Sequence, residues 1–518
     1  ILSMVDGVVL LVDSSEGAMP QTKFVLAKAL KLGLKPIVVI NKIDRPDGRP
    51  DEVINEVFEL FIALDATDEQ ADFPIVYASG RSGWASMSLD DERKDISPLF
   101  ELILKHVPEP QDDPTEPFSL LVTTREYDSY LGRILTGRIK SGTVKTNQNV
   151  KVLSRSGEVL ENARITKILT FKGLERITVE QASAGDIVVL AGLQNTTVTD
   201  TICAPEINQP IPALPIDPPT LSMTFSINDS PLSGREGSKV TSRMLQDRLM
   251  KEIEGNVSIK VTQSEDKDSF EVAGRGELQL GILIETMRRE GFELSISRPR
   301  VLYKTDNAGN RLEPLEEIHV DVDNQHAGSV VEALNKRKAD MIEMRESGAG
   351  KTRLTFIGPS RGLIGYHGQF LTDTRGTGIM NRMFHSYGAY RGPIEGRRNG
   401  VLIANGDGAA VAYALWNLED RGKMFILPGD LVYQGMIIGE HNRENDLEVN
   451  PLKAKQLSNV RSVNKDEAIR LTPPVLMTLE KAIAYIQSDE RVEVTPKSIR
   501  LRKAVLDPNL RKRAEKDA

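Results

Sequence analysis

The chain has 518 residues, a net charge of −8 and 40% hydrophobic residues, which predicts several globular domains with apolar material for several cores. One cysteine, Cys203, excludes an internal disulfide, and neither it nor the 6 histidines show the spacing of a metal site, so no metal ligand is assigned. No apolar run approaches the roughly 18 residues of a membrane span and no secretory leader pattern is present, so the expectation is a cytoplasmic protein without a membrane partner.

Gly7 to Asp13, "GVVLLVD", reads as a strand buried on both faces. Pro20 opens a helical pattern that Gly33 stops, and "PIVVI" from Pro36 to Ile40 is a second buried strand. A helix over Val53 to Leu64, a third strand over Ile75 to Ala78 and a helix over Pro98 to His106 follow. Strand and helix alternating at this spacing predict a parallel sheet with ligands at the carboxyl ends of its strands.

At the carboxyl end of "PIVVI" stands Asn41-Lys42-Ile43-Asp44. Guanine offers adjacent donors at N1 and its 2-amino group, and one ionised carboxylate, Asp44, can accept both. Adenine lacks the amino group and carries an acceptor at N1, so it would leave that carboxylate unpaired. Asn41 can brace the loop, and the Lys42 stem can lie along the purine face. A second loop, "YASG", brings backbone N–H groups around Ser79 and Gly80 towards the guanine 6-oxygen. Four positions alone form a weak motif; its place after a buried strand, with a Ser-Gly loop one unit later, makes it strong.

Pro108 to Pro117, "PEPQDDPTEP", is a linker, and the Gly-punctuated short strands after it predict a β-barrel. A second linker, "INQPIPALPIDPP", precedes two segments with split β-α-β patterns, Thr220 to Lys304 and Glu316 to about Tyr390, both read as ferredoxin-like. The glycines of the second, Gly362, Gly365, Gly368, Gly376 and Gly378, suit either backbone approach to a phosphate or close packing, and both stay open. Gly350-Lys351-Thr352 is a decoy for a phosphate loop: Arg345 stands where the first glycine belongs, and Arg353 to Phe356 reads as a strand. Thr478 is an expected N-cap for a helix with Leu479, Ala482, Ile483 and Ile486 on one face.

Residues 396–518 carry 20 Lys and Arg against 17 Asp and Glu, the most basic part of an acidic chain. Two basic features are expected to meet RNA phosphate: the loop with Lys453, Lys455, Arg461 and Lys465, and the later Arg500, Arg502 and Lys503. For the final Arg511-Lys512-Arg513 a solvated face and contact with RNA both stay open. Aromatic residues are sparse in this quarter, which favours phosphate contacts over base reading.

"SMVDGVVLLVD", "GLKPIVVINKIDRPDGRP", "SRGLIGYHGQFLTDTRGTGIMNRMFHSY" and "LMTLEKAIAYIQSDERVEVTPKSIRLRK" closely resemble the TypA/BipA family of translational GTPases. The resemblance covers the whole chain and implies five domains: 1–107, the C-terminal part of a P-loop-type G domain; 118–205, a β-barrel; 218–305 and 313–395, ferredoxin-like; and 396–518, specific to the family. It further implies GTP and GDP as ligands with Mg2+, a monomer, and GTP hydrolysis in large-subunit assembly and in translation under stress or cold. The implied partners are the large ribosomal subunit at its A-site region, rRNA and tRNA. The family's phosphate loop, switch threonine and Asp-x-x-Gly segment are expected upstream of Ile1, so no catalytic residue is assigned and the chain is read as part of a longer one. The absence of the sheet's first strand should leave Gly7 to Asp13 as an exposed apolar edge. The rival reading, if Ile1 is the true terminus, is a ribosome- or RNA-binding protein indifferent to nucleotide.

Overall fold

A computed structural model describes residues 2–110, 113–128, 130–213, 218–264, 268–346, 350–394, 396–397, 399–454 and 470–517. They form two compact units, residues 1–216 with 254–257, and residues 217–253 with 258–518. No helix among the described residues is long and apolar enough to cross a membrane.

The first unit begins with an α/β layer whose elements are β1 (Gly7–Asp13), α1 (Pro20–Lys31), β2 (Lys35–Asn41), α2 (Pro50–Ala63), α3 (Asp68–Ala71), β3 (Ile75–Ser79), β4 (Trp84–Ser86) and α4 (Ser97–His106). Strand order is β1-β2-β3-β4, with β1, β2 and β3 parallel and β4 antiparallel to β3. Alternation along β2 explains its placement: Val38 and Ile40 pack with Leu26, Val57 and Phe61, while Ile37 and Val39 pack with Val76 and the α4 residues Leu99 and Ile103. The strand at Gly7–Asp13 departs from the expectation of burial on both faces. Leu10 and Val12 are buried, but Val9 and Leu11, on the face that Val107 approaches at Gly7, are 40% and 60% exposed, and β1 is an edge strand. The apolar edge is therefore present.

The rest of the first unit holds an eight-stranded antiparallel sheet over residues 119–203, packed around Leu120, Val122, Leu135, Val152, Val188 and Ile202. Glu175–Val179 and Val159–Arg164 are its end strands, and no pairing joins them among the described residues. Cys203 is fully buried there, and burial pushes its thiol up from the ordinary value.

In the second unit, the segments 218–305 and 396–518, expected as separate bodies, share one sheet of eleven strands. The join is the antiparallel pair Leu294–Ser297 and Glu490–Val494, in register Leu294 to Val494 and Ile296 to Val492. One core runs across it, from Phe225 and Leu283 through Ile296 to Val401, Leu479, Val492 and Leu501. Thr478 caps its helix as expected, its hydroxyl accepting from the Lys481 N–H at 3.3 Å. A second, five-stranded sheet covers 304–389, with Arg311–Asp323 at its centre and the helix Asn324–Lys336 against it. Lys351 opens a strand, Lys351–Pro359, which is incompatible with a phosphate loop leading into a helix.

Candidate guanine-nucleotide site

The parallel register sets Asp13 beside Asn41 at the carboxyl ends of β1 and β2. Past Asn41 the backbone turns sharply, with Lys42 at φ 63, a left-handed conformation that side chains rarely adopt without support. Support comes from both neighbouring strands. The Ser14 N–H donates to the Asn41 carbonyl at 2.9 Å, the Ser14 hydroxyl to the Lys42 carbonyl at 2.9 Å, and the Ile43 N–H to the Ala78 carbonyl at 3.2 Å.

The loop after β3 is tied to this turn by the Gly80 N–H, which donates to Asn41 Oδ1 at 2.9 Å. Asn41 therefore braces the two loops against each other. Ser79 is fully buried, and its side chain hydrogen-bonds the Asp44 carboxylate, holding Asp44 below its ordinary value. Asp44 itself is exposed and makes no ion pair among the described residues. It lies on an open cavity of about 340 Å³ lined by Asn41, Lys42, Asp44, Arg45, Gly80 and Arg81. An ionised, unpaired carboxylate facing such a space is what adjacent N–H donors of a guanine base require. Ile43 contributes its backbone rather than its side chain, through the bond to Ala78.

Asp13 and Ser14 are supports that motif reading did not single out. Asp13 Oδ1 accepts from the Ser15 N–H at 2.8 Å, the Ser15 hydroxyl at 2.9 Å and the Glu16 N–H at 3.3 Å, while Oδ2 lies 2.6 Å from the Lys42 ammonium. Burial alone would raise the Asp13 carboxyl, but Lys42 and these N–H groups outweigh it and hold it far below the usual range. The lysine stem is thereby anchored at its tip and forms one wall of the cavity. The available signal was position: Asp13 ends the strand beside Asn41 and Ser14 follows it, where ligands bind in such sheets.

Of the residues expected to meet RNA, Lys453 is exposed, and Lys455, Arg461 and Lys465 lie outside the described residues. Arg500, Arg502 and Lys503 lie against carboxylates. Arg502 and Lys503 are each 3% exposed. Arg500 pairs with Glu493 at 2.7 Å and with Glu236; Arg502 pairs with Asp229; and the Lys503 ammonium meets Asp446, Asp489 and Glu490 at 2.6, 2.7 and 3.2 Å. Their charges are already spent on carboxylates, and a phosphate would have to displace buried partners to reach them. Asp446, Asp489 and Glu490 stand close enough to chelate a cation, and the Lys503 ammonium occupies that place. Arg511 also pairs inward, with Glu448.

The glycine question divides by position. A Cβ on Gly362 would lie 2.6 Å from the Arg337 carbonyl, and one on Gly365 2.5 Å from the Ala484 Cβ, so close packing accounts for both. Gly368 and Gly376 face open space.

Four stretches of the chain match known domain families: residues 1–109 the elongation factor Tu GTP-binding domain, 132–203 elongation factor Tu domain 2, 310–398 the elongation factor G C-terminus, and 399–508 the TypA/BipA C-terminal domain. The large ribosomal subunit assembly factor BipA of Escherichia coli K12 is 51% identical over 517 residues, spanning 100% of this chain and 85% of that protein. Its counterpart in Synechocystis is 50% identical over 503 residues, 97% of this chain and 84% of that protein. That of Bacillus subtilis 168 is 48% identical over 517 residues, again 100% of this chain and 84% of that protein. Mixed α/β and β sheets matching translation-factor domains, and identity near one half from end to end, place the chain in the TypA/BipA family of translational GTPases.

Proposed function

We propose that this chain binds guanine nucleotide through Asn41, Lys42, Ile43, Asp44, Ser79 and Gly80, and acts as a GTP-hydrolysing factor in assembly of the large ribosomal subunit. The observation that carries the reading is the Asp44 carboxylate, kept ionised by Ser79 and left unpaired on a cavity whose two loops Asn41 locks together. Asp44 accepts the N1 and 2-amino protons of guanine, the Gly80 region faces the 6-oxygen, and the anchored Lys42 stem covers one face of the base. Magnesium in such enzymes neutralises the phosphates, and none of the residues assigned here holds it. Ribosome association, with rRNA and tRNA at the A-site region as contacts, is supported by the name the relatives bear and by the family-specific match over 399–508. A monomer in the cytoplasm, serving translation under stress or cold, completes the reading. The division is into 1–107, 118–205, 218–305, 313–395 and 396–518, with a barrel second and ferredoxin-like segments third and fourth; domain matches support the first, second, fourth and fifth, and the eight-stranded sheet the second.

Competition against a fluorescent GDP analogue tests the base reading. GDP should displace it, ADP should not, and Asp44→Asn should shift preference from guanine to xanthine, because an amide can donate to the xanthine 2-oxygen. Nucleotide binding unchanged by Asp44→Asn would refute the assigned role. Ribosome binding indifferent to nucleotide would favour the RNA-binding rival.

A further inference from the structure

The strand ends at Tyr303, Arg311 and Tyr390 form an exposed stack that the nucleotide site does not use. Thr305 pairs with Arg311 across one side of the central strand, and the Tyr390 N–H donates to the Arg311 carbonyl at 3.3 Å on the other. Alternation then puts Tyr303, Arg311 and Tyr390 on one face of three neighbouring strands. The Arg311 guanidinium carbon lies 3.4 Å from the Tyr303 ring centre and 5.0 Å from that of Tyr390, and the two rings meet edge to face at 6.2 Å. Arg361, paired with the buried Glu313, holds Tyr390 from a further side at 4.5 Å.

Two features separate this stack from an ordinary structural contact. Arg361 has its carboxylate, but Arg311 is exposed and pairs with no acidic group among the described residues. Its charge is therefore uncompensated while its plane is fixed. Tyr303 and Tyr390 also remain 37% and 38% exposed, so flat aromatic surface stays open beside that charge. Around the turn, the Lys304 ammonium rests 4.0 Å over Tyr387, on the opposite face of the same hairpin and also without an acidic partner among the described residues. A guanidinium held flat presents N–H edges to a phosphate and its open face to a base. Aromatic rings beside it stack further bases, which only an unpaired strand can offer.

We propose that the sheet face at Tyr303, Arg311 and Tyr390 binds single-stranded RNA by stacking bases beside an arginine-bound phosphate. The source of that RNA on a ribosomal particle rests on the function proposed above; the binding chemistry does not. The test is fluorescence anisotropy of a labelled single-stranded oligouridine with the full chain, with an RNA duplex of equal length as comparison. Arg311→Ala should weaken single-strand binding about five- to tenfold and lower the slope of log affinity against log salt by roughly 0.7, the loss of one phosphate contact. Arg311→Lys should restore the salt slope but only part of the affinity, since it keeps the charge without the plane. Tyr303→Phe should bind as the unaltered chain does. GDP binding should be equal in all of them, and an unchanged cooperative melt shows that the second unit of each variant folds. Equal affinity of Arg311→Ala and the unaltered chain, or equal binding of duplex and single strand, would overturn the proposal. Failure of the unaltered chain to sediment with large subunits would instead strike the proposed function and leave oligouridine binding as it stands.

Discussion

Lys503→Met separates a structural cation from one that meets RNA. The ammonium is buried among Asp446, Asp489 and Glu490, with the nearest oxygen at 2.6 Å, and Glu490 is itself fully buried. Removing the charge leaves Glu490 with Arg397, whose two nitrogens hold it at 2.8 and 3.1 Å. Asp446 and Asp489, 38% and 60% exposed, can turn to water. The cost is therefore one broken buried pair rather than three, about 3 kcal/mol, at the lower end for such losses. That corresponds to roughly a 150-fold rise in local opening. Hydrogen exchange along Glu490–Val494 and Ile499–Lys503 reads it directly. Burial by itself would lower the Lys503 ammonium, but Glu490, Asp446 and Asp489 outweigh it and raise the group above its ordinary 10.5. A raised cation contributes its full stability below that value and loses it as pH rises through the folded one, so the difference should stay constant from neutral pH to about pH 10. Unchanged exchange together with weakened RNA binding would refute the argument and return Lys503 to the surface.

Asp13→Asn should keep the N–H bonds to Ser15 and Glu16 but release Lys42, weakening GDP binding about fivefold without altering the choice between guanine and xanthine. Because Asp13 is held below its ordinary 3.8, its contribution is present above that pH and lost as pH falls through the folded value; acid unfolding of the unaltered chain should thus converge on that of the variant. Gly365→Ala should destabilise by about 3 kcal/mol in chemical denaturation, from a left-handed φ of 72 together with the clash on Ala484, whereas Gly368→Ala should stabilise by up to about 1 kcal/mol. Ending the chain after residue 395 should strip the partner from Leu294–Ser297 and yield aggregation visible by light scattering; a soluble, cooperatively unfolding product would show that residues 396–518 are a separate body.

The meeting of the Asn41–Asp44 and Ser79–Gly80 loops was legible because its information is local. A β-branched run sets the strand, the strand sets where the loop emerges, and Asp44 needs only Ser79, one strand away, to be held. Asp13 was harder to see for the opposite reason. Only its place at the end of the strand in "LVDSSEG" marks it, and its part becomes plain when the parallel register brings it against Asn41 and Lys42. The partners of the basic residues were hidden in the same way at longer range. In "IRLRK", alternation puts Leu501 into the shared core and Arg500 and Arg502 on the other face, which reads as solvent until their partners are known. Those partners, Glu236 and Asp229, are more than two hundred residues away and come within reach only because Leu294–Ser297 pairs with Glu490–Val494.

That pairing also explains why so much charge is buried there. A strand added to an existing sheet satisfies its backbone, but the polar face of the join must be matched side chain by side chain. Asn228 does this by donating to both Glu293 and Glu493 at 3.1 Å, one carboxylate from each joined segment, while Arg500 and Tyr433 complete Glu493 at 2.7 and 2.6 Å. Glu293 in turn receives the N–H groups of Gly234, Glu236 and Gly237, fixing the 234–237 turn from which Glu236 reaches Arg500. Glu236–Arg500 and Asp229–Arg502 match charge across the join while Glu493–Arg500 matches it within residues 396–518, so that segment cannot shift register without stranding a buried carboxylate. The basic composition of the last quarter is thus partly the complement of Glu236 and Asp229 earlier in the chain, while Lys453 is left exposed.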